Sequence, residues 1–382
     1  MIKRRTFIAT ATATAWAALP VVAKDDPMFR VRALAEQAQR DLAAPGLVYG
    51  VVRGGGMVSK GALGVLRQGG AAATDQTVFR AAAAYRPLLA MAIASHVEQG
   101  RLSFDQPIAD LLPGLRVGDP RFVGATVDHL LTHRSGLPDD VPPGAGSSPV
   151  KLDLGVDLSG VWLQFVPGDG FAPSRLGLLL LTAVIETLDA APFAAAMRGG
   201  LFSRLDLRRS TFGIDTVDPT GLAAPHVADG VGVTRPRADL LIAPDRFAVG
   251  DLFSCTDDLL GLVQTHLSEG RSGRRGMVSS AMVRTLTAPL SVKIGVPGYP
   301  AGLQVARGWF VLPRAGRRIL AHGSGGGGYS SLCLFCPEGR FGLVVLANAQ
   351  TKPRSDPLRS FALTAIDEGL FDVGRGPNGQ AH

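Results

Sequence analysis

The sequence predicts an α+β protein, with strands near its two ends and helices through its middle. Three observations carry that reading. Residues 46–53 and 57–64 read as a strand and its return strand, joined by a hairpin turn at Gly54-Gly55-Gly56. Residues 308–312, 318–321, 330–336 and 341–348 form a second group of short apolar runs of strand length. Between the two groups the apolar residues change to helical spacing, most clearly over 176–188. The 382 residues are 46% hydrophobic and 19% charged, which suits a soluble globular chain with a sizeable core, in one large domain or two.

The chain opens on Lys3-Arg4-Arg5-Thr6-Phe7-Ile8, paired arginines followed closely by apolar residues. Residues 7–19 are apolar or small, and too few to span a bilayer. Val21-Val22-Ala23 is an acceptable cleavage site. Residues 1–23 therefore read as a signal peptide of twin-arginine type, with general secretion as the alternative route. The expectation is an exported chain, periplasmic or extracellular, without a membrane anchor once the signal is removed. Net charge is +7, yet the arginines are spread along the chain and no basic run follows Lys3-Arg4-Arg5. Without a nucleic-acid-binding motif, that charge does not point to nucleic acid.

Three cysteines follow: Cys255, Cys333 and Cys336. The last two lie within one strand, where positions three apart face opposite ways, so they cannot jointly hold a metal or form a redox pair. They read as buried free thiols, and no metal or cofactor is expected.

Residues 24–45 form the first helix, with Phe29, Val31, Leu34, Ala35 and Ala38 as its apolar stripe. The segment Val78-Phe79-Arg80-Ala81-Ala82-Ala83-Ala84-Tyr85-Arg86-Pro87 runs into a second helix, striped by Leu89, Ile93 and Val97 and stopped at Gly100. Residues 139–160 are rich in Pro, Gly and Ser and read as a pocket-lining loop. Residues 357–371 make a closing helix, and 375–382 a disordered tail.

Several segments carry more than secondary structure. Gly100-Arg101-Leu102-Ser103-Phe104-Asp105-Gln106-Pro107 is followed by Thr126-Val127-Asp128-His129-Leu130-Leu131-Thr132-His133-Arg134-Ser135-Gly136-Leu137-Pro138. Phe253-Ser254-Cys255-Thr256-Asp257-Asp258-Leu259 and His322-Gly323-Ser324-Gly325, seven residues before Tyr329-Ser330-Ser331, come later. In this order they resemble the serine β-lactamase and penicillin-binding-protein family, in its class C β-lactamase, D,D-peptidase and esterase branch. The resemblance covers about residues 28–372. It implies a β-lactamase/transpeptidase-like fold, a mostly antiparallel sheet flanked by helices. The sheet part would be 24–75 and 241–374, with a helical lobe inserted at 76–240 and the site between them. It also implies that His133 and Ser135 are structural and that 254–259 is a side-chain-capped helix start.

The chain departs from that family where the chemistry lies. With Phe79 and Pro87 fixing the alignment, the family's nucleophilic Ser and its Lys partner, three residues on, fall on Ala83 and Arg86. Its Tyr and Asn fall on Pro173 and Arg175. His322 matches the third motif, while Ser324 replaces a Gly. Without the Ser there is no acyl-enzyme, and a guanidinium with a pKa above about 12 cannot act as general base. Only the backbone oxyanion donors, at Ala83 and near Gly325, are independent of side chains. The reading is an exported pseudoenzyme that binds a cell-wall-derived or other anionic ligand, or a protein partner. Its ligand residues would be Arg86, Arg175, His322, Ser324 and Gly325, unless Asp139 or Asp169 neutralises the guanidiniums. The alternative is a serine hydrolase with a displaced nucleophile, Ser324 or Ser174. An α/β-hydrolase reading of His322-Gly323-Ser324-Gly325 lacks the Gly-x-Ser-x-Gly elbow it needs.

Overall fold

The computed structural model describes residues 26–54, 56–81, 84–139, 157–228, 234–237, 239–242, 252–270, 278–291, 304–350 and 356–372, without the side chains of Val58, Asp157, Leu241, Ile242 and Ser324. Residues 1–23, expected to be a signal peptide, Ala83, most of the loop 139–160 and the expected tail 375–382 lie outside the described residues.

The first helix, α1 (Pro27–Leu42), starts where Asp26 accepts the Met28 N–H and Pro27 takes the first turn, which needs no donor. The hairpin β1 (Gly46–Arg53) and β2 (Gly56–Gly64) follows as the sequence predicts. The chain then leaves the sheet through β3 (Phe79–Arg80) into the lobe. The lobe holds α2 (Tyr85–Glu98), α3 (Ile108–Leu111), β4 (Arg116–Val117), α4 (Val127–Leu131), β5 (Asp157–Leu158), α5 (Arg175–Asp189), α6 (Phe193–Met197) and α7 (Ser203–Leu205). Short pieces come next: β6 (Thr211–Phe212), β7 (His226–Ala228), β8 (Thr234–Pro236) and α8 (Asp239–Ile242). The chain returns by β9 (Leu252–Ser254), α9 (Thr256–Leu267) and α10 (Ser280–Thr287). It closes with β10 (Gln304–Ala306), β11 (Trp309–Arg314), β12 (Arg317–Gly326), β13 (Tyr329–Cys336), β14 (Phe341–Ala347) and α11 (Pro357–Asp367).

The large sheet has the order β10-β11-β12-β13-β14-β1-β2, every pair antiparallel. Its first and last strands in sequence meet at β14–β1, Leu47 opposite Ala347 and Arg53 opposite Phe341. Strands β13 and β14 are buried at every position because helices cover both faces. Leu47, Tyr49 and Val51 of β1 pack with α1 and α11, and Val48 and Val52 with the core shared by α9 and the lobe. Cys333 falls in the second core and Cys336 in the first, as the strand alternation requires. All three cysteines are buried and free.

Two sequence expectations change. α2 is buried nearly all round, from Tyr85 through His96, so its Leu89–Ile93–Val97 stripe is part of a wholly covered helix lying between sheet and lobe. The segment 254–259 starts a helix without the side-chain cap: Cys255 holds the N-cap position and makes no capping hydrogen bond. Asp258, at the third helical position, instead accepts from Ser210 Oγ and the Arg209 N–H, tying the helix start to the lobe. The strand β9 pairs with both β3 and β6 in a small sheet. Among the described residues, no single helix is long and apolar enough to cross a membrane.

Candidate functional site

Three elements bring one residue each to a common point. Arg86 stands in the first turn of α2, directly after the small sheet has fixed β3. His322 stands on β12, opposite Cys333 in the register. His133 follows α4, which begins with a capping box: Thr126 Oγ1 accepts from the His129 N–H, and His129 Nδ1 from the Thr126 N–H. Past the end of that helix His133 takes a left-handed backbone, φ 56°. This turns its ring away from α4 and toward the start of α5, where the Ser174 N–H donates to His133 Nδ1 at 3.2 Å.

Arg86 Nη1 lies 3.3 Å from His133 Nε2 and 3.2 Å from His322 Nε2. Both imidazoles are buried, 5% and 4% exposed. Phe310 lies against His322 with ring centroids 5.0 Å apart, and Phe171 meets His133 edge-on at 6.2 Å. Burial, and after it the positive charge of Arg86, hold both histidines well below the ordinary imidazole range, so both are neutral at neutral pH. Arg86 Nε and His322 Nδ1 are buried with no hydrogen-bond partner, and Arg86 forms no ion pair among the described residues. Asp128, on α4, does not line the cavity and pairs with Arg307 at 2.7 Å. The three side chains line a cavity of about 10 Å³ walled by Leu178, Trp309 and Phe310, space for one water-sized particle.

The other sequence-predicted residues stand differently. Arg175 is held at the start of α5 by Asp139, whose Oδ1 accepts the Arg175 backbone N–H at 3.0 Å and whose Oδ2 lies 3.3 Å from Nε. Asp139 is thus the internal carboxylate for that guanidinium, whereas Asp169 forms no ion pair among the described residues. Arg175 does not line the Arg86 cavity. Pro173 is half-buried beside Ser174, which caps α5: its hydroxyl accepts from the Gly177 N–H at 2.9 Å and donates to Pro138 O at 2.7 Å. At 1% exposure and with both hydrogen-bonding roles filled, Ser174 is a structural residue. The backbones of Ser324 and Gly325 pair with Ser331 and Ser330, and Gly325 is exposed. Ser331 Oγ donates to Ala81 O at 2.9 Å, fixing the chain two residues before position 83.

His133 is the residue that sequence reasoning placed only as structural. Its ring reaches the site through a left-handed turn and a tertiary contact, and the signal that could have found it is the His-x-Ser-Gly run directly after a capped helix.

Comparison with known proteins gives one family. The profile described as Beta-lactamase matches residues 31–367. The chain is 31% identical over 246 residues to "Esterase EstB" of Burkholderia gladioli, covering 57% of this chain and 62% of that one. It is 24% identical over 281 residues to the D-alanyl-D-alanine-carboxypeptidase/endopeptidase AmpH of Escherichia coli K12, covering 71% and 70%. The chain spans less than two thirds of the first curated relatives it matches, 62% of the esterase and 40% of "Penicillin-binding protein 4" of Amycolatopsis lactamdurans. Solved structures share the fold, two of them as follows. The octameric penicillin-binding protein homologue from Pyrococcus abyssi has TM-score 0.74 and 21% identity, over 93% of this chain and 79% of that one. A class C β-lactamase from Rhodobacter sphaeroides has TM-score 0.72 and 22% identity, over 89% and 99%.

Proposed function

Because the chain belongs to the beta-lactamase family, we propose that it keeps the family's cleft and has exchanged acyl-transfer chemistry for binding of an anionic ligand. The observation that carries this reading is Arg86. Where the resemblance calls for a Lys that takes a proton from Ser, this chain has a permanent cation between two neutral imidazoles, with no carboxylate partner among the described residues. A cation so placed favours an anion over a proton transfer. Ala83 supplies no nucleophile, and in an analogous serine hydrolase losing that group costs about a millionfold in turnover. The D-alanyl-D-alanine-carboxypeptidase relative supports a ligand that ends in a D-alanine carboxylate.

The test has two arms. Incubation with a fluorophosphonate and with a labelled penicillin is expected to leave the intact mass unchanged, and an adduct on Ser324 or any other serine would end the reading. Calorimetry with acyl peptides ending in a D-alanine carboxylate is expected to show binding that Arg86→Ala removes. Arg175→Ala should weaken it less, because Asp139 already neutralises that guanidinium.

The paired Arg4-Arg5 segment supports export of the same protein. Replacing both by Lys is expected to abolish export, and normal export of that variant would remove the twin-arginine assignment.

A further inference from the structure

We propose that the cavity between Arg86, His133 and His322 binds a single-atom anion, a halide such as chloride, which sits against Arg86 and the Nε2–H of His133. The proposal shares Arg86 with the ligand reading but does not depend on what occupies the open cleft.

The argument begins with the proton on His133. A backbone N–H can only donate, so the Ser174 N–H fixes His133 Nδ1 as an acceptor. A neutral imidazole then carries its single proton on Nε2. The Nε2–H faces Arg86 Nη1 at 3.3 Å, and that nitrogen is also only a donor. The contact is donor against donor, and it lacks an acceptor between or beside the two groups. His322 adds to the excess. If its Nε2 accepts from Arg86 Nη1 at 3.2 Å, its Nδ1–H is left buried and unpaired. Arg86 Nε–H is likewise unpaired. One small cavity is therefore lined by three side chains whose unpaired groups are N–H donors, one of them positively charged, with no carboxylate among the described residues to answer it.

Size and polarity select the occupant. The space, about 10 Å³, admits one water-sized particle, which shuts phosphate and a whole carboxylate out of this cavity; the carboxylate of the ligand reading would have to meet the half-buried Arg86 outside it. A water would have to place its own two hydrogens, and the lining side chains offer it one acceptor, the Thr132 hydroxyl that already donates to Asp128 O, beside N–H groups and the apolar faces of Leu178, Trp309 and Phe310. A halide accepts from every side and neutralises the guanidinium. His133 and His322, both more than nine-tenths buried, make the wall a built one.

The direct test is diffraction from crystals of the mature chain soaked in sodium bromide, with data collected at the bromine edge. An anomalous peak in contact with Arg86 and His133 is the expected result. No peak there, or peaks on the surface alone, would mean an adventitious ion only and would overturn the proposal. In solution, replacing gluconate by chloride at constant ionic strength is expected to raise the melting temperature saturably by roughly 2–4 °C. Arg86→Met should abolish that dependence while circular dichroism stays native; if the variant does not fold, the bromide peak in the wild-type chain decides. A halide failure with intact D-alanyl peptide binding would sink this proposal alone. Bound bromide without any peptide binding would leave it standing and remove the ligand reading.

Discussion

Arg86 differs from the lysine expected at its position in geometry as well as in basicity. A lysine ammonium can lose its proton when desolvated, whereas a guanidinium stays charged and spreads its donors over a plane. Here that plane reaches two histidines on different elements, so the residue has become a junction between α2, β12 and the turn after α4. Restoring Ala83→Ser together with Arg86→Lys is expected to give at most feeble ester hydrolysis, read with a chromogenic ester. Pro173 and Arg175 still stand where the resemblance puts Tyr and Asn, and catalytic groups of this kind act as a unit. Activity at the level of the esterase relatives would show that the second motif is dispensable for hydrolysis. Arg86 and His322 were legible in the sequence because each sits at a fixed offset from a recognisable anchor, Phe79 and the Tyr329-Ser330-Ser331 run. His133 was not, since its part depends on one left-handed residue and on which ring nitrogen meets Ser174. The pairing of Arg175 with Asp139 was legible only as an alternative, because the loop that carries Asp139 has no periodicity to place it.

At the scale of elements, the site depends on how closely helix ends and turns approach one another. The turn between β10 and β11 contains Gly308, φ 82°, packed on the first turns of α2. A Cβ there would lie 2.7 Å from Ala90 Cβ and 2.9 Å from Arg86 O. Gly308→Ala is therefore expected to destabilise by about 2–4 kcal/mol, combining a left-handed backbone with overpacking, as read by urea denaturation. A change under about 0.5 kcal/mol would mean that the turn moves freely away from α2. Ser174→Ala removes the cap of α5 and should cost about 1 kcal/mol without altering the response to fluorophosphonate. The elements themselves were largely legible. β1, β2, β12, β13 and β14 follow alternating or continuous apolar runs, and α5 begins at the capping Ser174. The small sheet was not, because β3, β6 and β9 are two or three residues long and come from three distant segments. Nothing local in a two-residue strand distinguishes it from a loop; its pairing is decided by the packing of the lobe against α9.

At the scale of the whole molecule, histidine among the described residues is used as a buried or half-buried neutral group. Of the seven histidines, His96, His129, His133, His226, His266 and His322 are described, and each is held below the ordinary imidazole value with burial the first cause. His266, packed against Trp309 and Phe335, is lowered to about 4. A depressed folded-state value means that the unfolded chain takes the proton first. The stability from these groups is complete above about pH 6.5 and is lost as pH falls toward their folded values, each fully buried group contributing about 1.4 kcal/mol per pH unit. Glu186 and Asp258, raised by burial, oppose this trend at lower pH. The melting temperature is expected to fall from pH 7 to pH 5, with more than one proton taken up on unfolding. A flat profile over that range would contradict the burial of these rings. Bound halide should flatten the slope, because an anion beside His133 and His322 favours their charged forms.

Cys333 and Cys336 sit on one strand with their sulfurs in the two separate cores, and this makes the native thiols a pair of clocks. Burial pushes the Cys333 thiol up to about 12 and raises Cys336 as well, so neither offers much thiolate to a reagent while the strand is covered. Modification must wait for an opening of the layer above each sulfur, and its rate counts those openings. Cys336 waits on the α1–α11 layer and Cys333 on α9 and the lobe. With the smaller layer parting more readily, Cys336 should be modified first in a timed disulfide-exchange assay at neutral pH. Equal rates for the two sulfurs would instead reveal a sheet whose faces are released together, as one cooperative unit.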